Sequence, residues 1–371
     1  MRIVMFYHSA LSDWNHGNAH FLRGVAAELM ERGHEVTIYE PEDAWSYRNL
    51  IAEHGQTPIR RFRSVYPNLK IARYRLDSLD LLDALDLADL VIVHEWNDHD
   101  LVRRIGECRE RGGTFRLLFH DTHHRMVTDP RSMGAYDLSG YDGVLAYGRA
   151  LQELYVESGR VRRAWVWHEA ADTRVFFPRA EARKNGDLVW IGNWGDGERT
   201  AELREFLIEP ARDLSLKARV HGVRYPDEAR QTLAEAGIEY AGWLSNVDVP
   251  QVLGEFRATV HIPRRPYVKA LPGIPTIRVF EALACGIPLV CSPWDDIESL
   301  FTPGCDYLAA RNGREMRQAL RDILHDRSLA QELARHGLNT IRSRHTCAHR
   351  VDELLGIVAQ LGQPAADLAV S

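Results

Sequence analysis

The 371 residues are 45% hydrophobic and 26% charged, which is ordinary globular usage, and at about 150 residues per domain they predict two domains, each with its own core. Lysine and arginine number 46 against 52 acids, a formal charge of −6, the wrong sign for a protein that lives on nucleic-acid backbone contacts. No apolar run approaches the roughly 18 residues of a membrane span and no charged-then-apolar leader precedes the first strand, so a soluble, cytoplasmic protein with no nucleic-acid partner is expected.

Apolar five-residue runs alternate with helical periodicity, the pattern of parallel sheets covered by helices on both faces. Strands are predicted at 2–7, 35–39, 90–94, 115–119, 143–147 and 164–167. Between the first two lies a helix with the stripe Phe21, Val25 and Leu29, capped at Asn18 and closed at Gly33. A second series has strands at 187–191, 218–221, 258–262 and 288–291, with helices near 199–213, 226–236, 247–254 and 275–284. The charged segment FFPRAEARKNGD, with Pro178 and Gly186, reads as the linker between the two series. Beyond residue 313 the pattern is helical, ending in an amphipathic stretch at 346–361 and a tail, GQPAADLAVS, expected to fray. Two doubly wound domains would take ligands in loops just after strands, across a cleft between carboxyl ends.

Several loops offer chemistry. HSALSDWNHGNAHF, between the first strand and its helix, pairs a helix start with Gly17, where backbone can approach a phosphate or a sugar closely. Residues 55–76 carry Arg60, Arg61, Arg63, Lys70, Arg73 and Arg75 without an acid, either a solvated face or a peripheral contact with an anionic lipid or glycan. Asp98 and Asp100 in HEWNDHDL form a DxD, for which helix capping by Asp98 is the simpler role.

FHDTHHR places His120, Asp121, His123 and His124 at the rim after a strand. A metal site would need a second ligand set that the chain lacks, and five scattered cysteines without a CxxC pair supply none. Acid–base or substrate-binding work suits these residues better, with capping histidines as the plain alternative.

The turn LVWIGNWGDGERT is glycine-rich but is not GxGxxG, and it brings Asn193 and Arg199 to a helix start. HIPRRPYVKALPGIPTIRVFEALACGIPLVCSP follows a strand, supplies Arg264, Arg265 and Lys269, and starts a helix at Pro275. The amides of Thr276 and Ile277 with those cations could hold a diphosphate. Glu281, in the otherwise apolar VFEALAC, suggests a hydroxyl-bearing ligand such as ribose, or a pair with Arg278.

HGNAHFLRGVAAELMERGHEVTIYEP, EAADTRVFFP and RVFEALACGIPLVCSP together resemble the group 1 glycosyltransferases of GT-B fold. More narrowly, FHDTHHR, DLSGYDGVLAYG, WHEAADTRVF and RHTCAHRVDELL resemble the CgeB-like branch of spore-maturation proteins. The resemblance implies an α/β fold of two Rossmann-like domains facing across a cleft, an acceptor-side domain at 1–178 and a donor domain at 179–345. A terminal helix and tail at 346–371 would pack back on the first.

It also implies sugar transfer from a nucleotide-diphosphate sugar (UDP, GDP or dTDP type) to a carbohydrate or lipid-linked hydroxyl in cell-surface polysaccharide synthesis. Retention at the anomeric carbon and no obligatory metal or other cofactor are implied as well. By position, Glu281 matches the glutamate on the donor ribose, 274–277 the diphosphate-binding helix start, His120 the histidine facing the donor sugar, and Gly17 the glycine near the diphosphate. Asp121 would orient His120, His123 stands beside it, and Trp243 in GWLSN would face the base.

Three positions depart from that pattern: Gly273 replaces the first of two paired glutamates, Asn193 an arginine, and Arg199 a lysine. Arg264, Arg265 or Lys269 is expected to restore the positive charge. The rival readings are a nucleotide-sugar epimerase of the same shape, which needs no acceptor, and a non-catalytic carbohydrate-binding or surface-assembly module.

Overall fold

The apolar runs assemble into two parallel sheets. In the computed structural model, residues 1–179, 181–195 and 197–362 are described, and the tail after Gly362 lies outside them. The chain divides into two units, the first comprising Met1–Ser12, Leu22–Glu169 and the segment from Cys347, the second Asp13–Phe21 and Ala170–Thr346.

The first unit holds a seven-stranded parallel sheet of β1 (Arg2–Phe6), β2 (Glu35–Pro41), β3 (Lys70–Tyr74), β4 (Leu90–His94), β5 (Arg116–Asp121), β6 (Gly143–Ala146) and β7 (Ala164–Val166), in the order 3-2-1-4-5-6-7. Central β4 (LVIVH) is buried at every position, as a strand covered on both faces must be. Edge strand β3 (KIARY) has only one buried residue and no apolar run, so periodicity alone misses it.

The terminal helix Cys347–Gly362 packs on this unit through buried Val351, Leu354 and Ile357. The Trp167 indole N–H donates to the Arg350 carbonyl at 2.8 Å, and buried Arg350 donates to the His168 carbonyl at 2.8 Å.

The second unit has six parallel strands, β8 (Gly186–Ile191), β9 (Ala218–His221), β10 (Glu239–Tyr240), β11 (Phe256–His261), β12 (Leu289–Cys291) and β13 (Leu308–Ala309), in the order 10-9-8-11-12-13. β10 and β13 are two-residue edge strands, too short to show a period. Its core includes Leu188, Trp190, Phe206, Val220, Val260 and Leu320.

The helix expected near 199–213 is three abutting pieces, Thr200–Leu203, a π-helical turn Arg204–Ile208, and Glu209–Asp213. Pro210 lacks the amide hydrogen that an α-helix would direct at the Phe206 carbonyl, and the widened turn accommodates the loss. The helix expected at Pro275 begins at Ile277, with Thr276 as its N-cap.

Candidate functional site

The second unit gathers its polar residues where β8 and β11 end. Just after β8, the Asn193 side-chain oxygen accepts from Arg199 at 2.8 Å and from Arg264 at 2.9 Å, while its amide donates to Asn15 at 2.7 Å. Arg199 also donates to the Asn193 and Ile262 carbonyls and lies 5.0 Å from the Trp190 ring centroid. Arg264 is ion-paired to Glu198 at 2.5 Å. Burial, then the charges of Arg264 and Arg278, hold the Arg199 pKa down at about 9. Like charges lower one another in this way, and a neighbouring anion raises such a pKa.

Arg265 points away from this cluster, onto Glu202 at 2.7 Å and the Gly197 carbonyl. Lys269 ends the short helix Arg265–Ala270, exposed and without an ion pair among the described residues. Of the three cations expected to restore the charge, the structure brings only Arg264 to Arg199.

The helix Ile277–Ala284 begins beside these arginines. Thr276 Oγ1 lies 3.1 Å from His261 Nε2, and burial, reinforced by Arg199, lowers the His261 pKa to about 3. One turn on, buried Glu281 is ion-paired to Arg278, and its other oxygen lies 2.9 Å from His20 Nδ1. Burial raises the Glu281 pKa, but Arg278 and His20 outweigh it and the net shift is downward. Glu281 is therefore neither solvated nor paired with Arg278 alone.

The segment Asp13–Phe21 of this unit completes the arrangement. A Cβ on Gly17 would lie 3.2 Å from the Ile277 side chain and 3.3 Å from that of Arg278, so glycine permits this close approach. Asp13 accepts from the Asn246 amide at 3.1 Å and the Ser245 hydroxyl at 3.3 Å, tying down the GWLSN loop that carries half-buried Trp243. Gly17, Asn193, Arg199, Arg264, Thr276, Ile277 and Glu281 thus stand together.

His20 and Arg278 are the members that residue reading missed. Each lies at helical spacing inside a motif already singled out, but its partner is distant in sequence or was read as a surface mate. Gly273, at φ +90, donates its amide to the Asp295 carbonyl at 2.6 Å, in a backbone conformation that disfavours any side chain.

In the first unit, β5 runs two residues past its predicted end because His120 pairs in register with His94 and Asp121 with Ala146. Both side chains are fully buried, so they are strand residues and not members of an open rim. Burial lowers the His120 pKa to about 3. Its ring packs edge-on against Trp167 at 4.8 Å and His94 at 5.4 Å.

Asp121 does not orient that ring. Its carboxylate accepts from the Tyr155 hydroxyl at 2.7 Å and the His123 amide at 3.0 Å. Burial raises the Asp121 pKa to about 6, and burial together with Asp121 raises that of neighbouring Glu95, which Arg125 meets at 3.0 Å. Half-buried His123 lies 5.3 Å from the Trp96 ring, which in turn faces Arg125.

Asp98 caps its helix by accepting from the Asp100 amide at 2.8 Å. Part of the basic segment is neutralised locally, since Lys70 meets Glu35 and Arg75 meets Asp77, while Arg73 lies over the Tyr47 ring. Among the described residues no three His, Cys, Asp or Glu side chains group as metal ligands, and no helix is long and apolar enough to cross a membrane.

Residues 199–356 match the family described as glycosyl transferase-like. No curated protein matches the chain. Solved structures similar to it include a sucrose-phosphate synthase from Thermosynechococcus elongatus, at 14% identity and TM-score 0.66 over 98% of this chain and 99% of that one. Another is HepE from Anabaena in complex with UDP and glucose, at 13% identity and TM-score 0.64 over 97% and 99%. A third is an alpha-glucosyltransferase in complex with UDP and a 13-mer DNA, at 12% identity and TM-score 0.69 over 97% and 99%.

Proposed function

We propose that this protein is a glycosyltransferase of GT-B fold, a reading supported by the family matched at 199–356 and by the similar solved structures, and that it transfers a sugar from a nucleotide-diphosphate donor to a hydroxyl of a glycan or lipid-linked acceptor. The observation that carries the reading is the convergence of Arg199, Arg264 and Arg278 at the start of the helix Ile277–Ala284. Three guanidiniums and a helix N-terminus are complementary to a diphosphate and to the charge it gains on leaving. They can do this work without a divalent cation, which supports a metal-independent reaction.

Glu281, held ionised, keeps lone pairs for a ribose hydroxyl pair. A uracil nucleotide is favoured because HepE and the alpha-glucosyltransferase were solved with UDP. No carboxylate stands at Gly273 to act as nucleophile, so the transfer is read as front-face and retaining: the acceptor oxygen bonds to the anomeric carbon as the diphosphate oxygen departs on the same side, and the acceptor hydroxyl's proton passes to that departing oxygen. In the first unit, His120, a neutral imidazole packed on Trp167 at the end of β5, positions the strand end that leads into half-buried His123. We assign the acceptor side of the reaction to these residues.

The test is nucleotide release from UDP-, GDP- and dTDP-sugars with and without crude glycans, with the product's anomeric configuration read by NMR. Release stimulated by an acceptor, with an α-donor giving an α-product, is expected. Isomerised nucleotide sugar formed without acceptor would favour an epimerase, and absence of any nucleotide binding would leave only a carbohydrate-binding module. His120→Ala should lower turnover far more than UDP affinity.

A further inference from the structure

β11 ends at His261, and the carbonyl of the next residue, Ile262, accepts from Arg199 at 3.2 Å. The His261 ring is only 2% exposed and stands edge-on to Trp294, with ring centroids 6.2 Å apart. Its Nε2 lies 3.1 Å from Thr276 Oγ1, the side chain at the start of the helix Ile277–Ala284. Burial, reinforced by Arg199, keeps this imidazole neutral, with one N–H and one bare nitrogen.

The environment of the ring decides which nitrogen carries the hydrogen. Nδ1 is buried and has no hydrogen-bond partner among the described residues. Orphaned buried N–H groups are rarer in folded proteins than under-satisfied acceptors, so the bare nitrogen belongs at Nδ1 and the hydrogen at Nε2. His261 then donates to Thr276 Oγ1, which leaves the threonine's own hydrogen to be given to another acceptor.

A threonine at this position ordinarily turns its oxygen onto an amide two or three residues further on and so closes the helix start. Thr276 makes no such bond. Its oxygen is occupied by His261 instead, so the amides of the first turn are not capped by their own side chain and the hydroxyl faces a ligand as a donor. Amides, hydroxyl and the guanidiniums of Arg199, Arg264 and Arg278 all give hydrogen bonds, and a diphosphate, rich in acceptor oxygens, is the complement. We propose that the Thr276 hydroxyl donates to a phosphoryl oxygen of the bound diphosphate and that His261 is the positioning residue that aims it, acting through Thr276 and not on the ligand. That the diphosphate belongs to a sugar donor rests on the function proposed above; the coupling of His261 to Thr276 in binding it does not.

Pyrophosphate and UDP are titrated calorimetrically into the full chain as wild type, Thr276→Val, Thr276→Ser, His261→Phe and the double variant Thr276→Val with His261→Phe. Each of Thr276→Val and His261→Phe should weaken pyrophosphate about tenfold, the size of one lost hydrogen bond to a charged group. Thr276→Ser, which keeps the hydroxyl, should bind as the wild type does. The double variant should bind no more weakly than either single one, because both substitutions remove the same bond to the ligand. His261→Gln, whose side-chain amide can still donate, should lose less than His261→Phe. If His261→Phe does not fold, the contrast between Thr276→Val and Thr276→Ser decides. Equal affinity in Thr276→Val and the wild type, additive losses in the double variant, or a wild type that binds no pyrophosphate overturns the inference. A wild type that binds pyrophosphate but not UDP removes the donor function and leaves the His261–Thr276 result to stand or fall alone.

Discussion

His20 Nδ1 lies 2.9 Å from Glu281 Oε1, with both side chains buried, so the segment Asp13–Phe21 is joined to the helix Ile277–Ala284 by a contact shielded from water. His20→Ala should destabilise the protein by about 1–3 kcal/mol, the usual cost of leaving a buried charged acceptor short of one partner. Arg278→Ala should cost more, because Glu281 then keeps only His20. The Glu281 pKa is depressed below its ordinary 4.5, so its contribution is present above that pH and is lost as pH falls toward the folded value. Denaturant midpoints of Glu281→Gln should therefore fall less than the wild type's below pH 4.5; parallel curves would refute the assignment.

The Asn193 oxygen receives both Arg199 and Arg264. Asn193→Asp would pair those guanidiniums internally, raise the Arg199 pKa from about 9, and compete with an incoming diphosphate. UDP affinity measured by calorimetry should drop by about tenfold. An increase in affinity would show that the arginines serve the fold and not a ligand.

Acid stability follows from buried neutral histidines. Burial holds His8, His120 and His261 at about 3 and His221 at about 4, against an ordinary 6.5. Between pH 6.5 and 4 the unfolded chain takes up protons that the folded one refuses, so stability declines as pH falls. Asp121, Glu95 and Glu40, whose pKa values are raised, act in the opposite direction, but three acids only partly offset these four histidines, which His34 joins with a downward shift of its own. Guanidinium midpoints should fall steadily over this range, less steeply in His120→Asn, and a flat profile would contradict the burial.

A Cβ at Gly222 would lie 2.0 Å from the Gly192 carbonyl oxygen. Because that neighbour is backbone, Gly222→Ala forces the glycine turn after β8 to move and should cost about 3 kcal/mol, with UDP affinity falling in parallel. Equilibrium unfolding indistinguishable from the wild type would show that the two turns are not in contact.

Arg350 is buried and bonded to the His168 carbonyl and to Glu353. Arg350→Ala should loosen the helix Cys347–Gly362 from the first unit, read as faster proteolytic cleavage near residue 346 and a loss of about 3 kcal/mol. Arg350→Lys should restore only part of the protection, since an ammonium cannot reproduce the planar fork.

Central strands, helix-closing glycines and the Asp98 cap are legible in the residues because each is set by neighbours within a few positions. Edge strands β3, β10 and β13 are not, being too short or too exposed to carry an apolar period. The extension of β5 through Asp121 depends on registry with two other strands. Glycine turns and clustered cations pointed to Asn193, Arg199 and Arg264, but the same reasoning ranked Arg265 and Lys269 beside Arg264, because spacing does not say which way a side chain turns.

The sequence by itself determined two doubly wound sheets and the loops after their strands, since alternation of apolar runs with helical stripes is a local signature of burial. Only the tertiary structure decided that His20 meets Glu281, that Arg278 joins the guanidinium cluster, and that His120 and Asp121 are sealed at a strand end. Ion pairing and desolvation depend on distances between segments far apart in the chain, and such distances leave no period in a sequence.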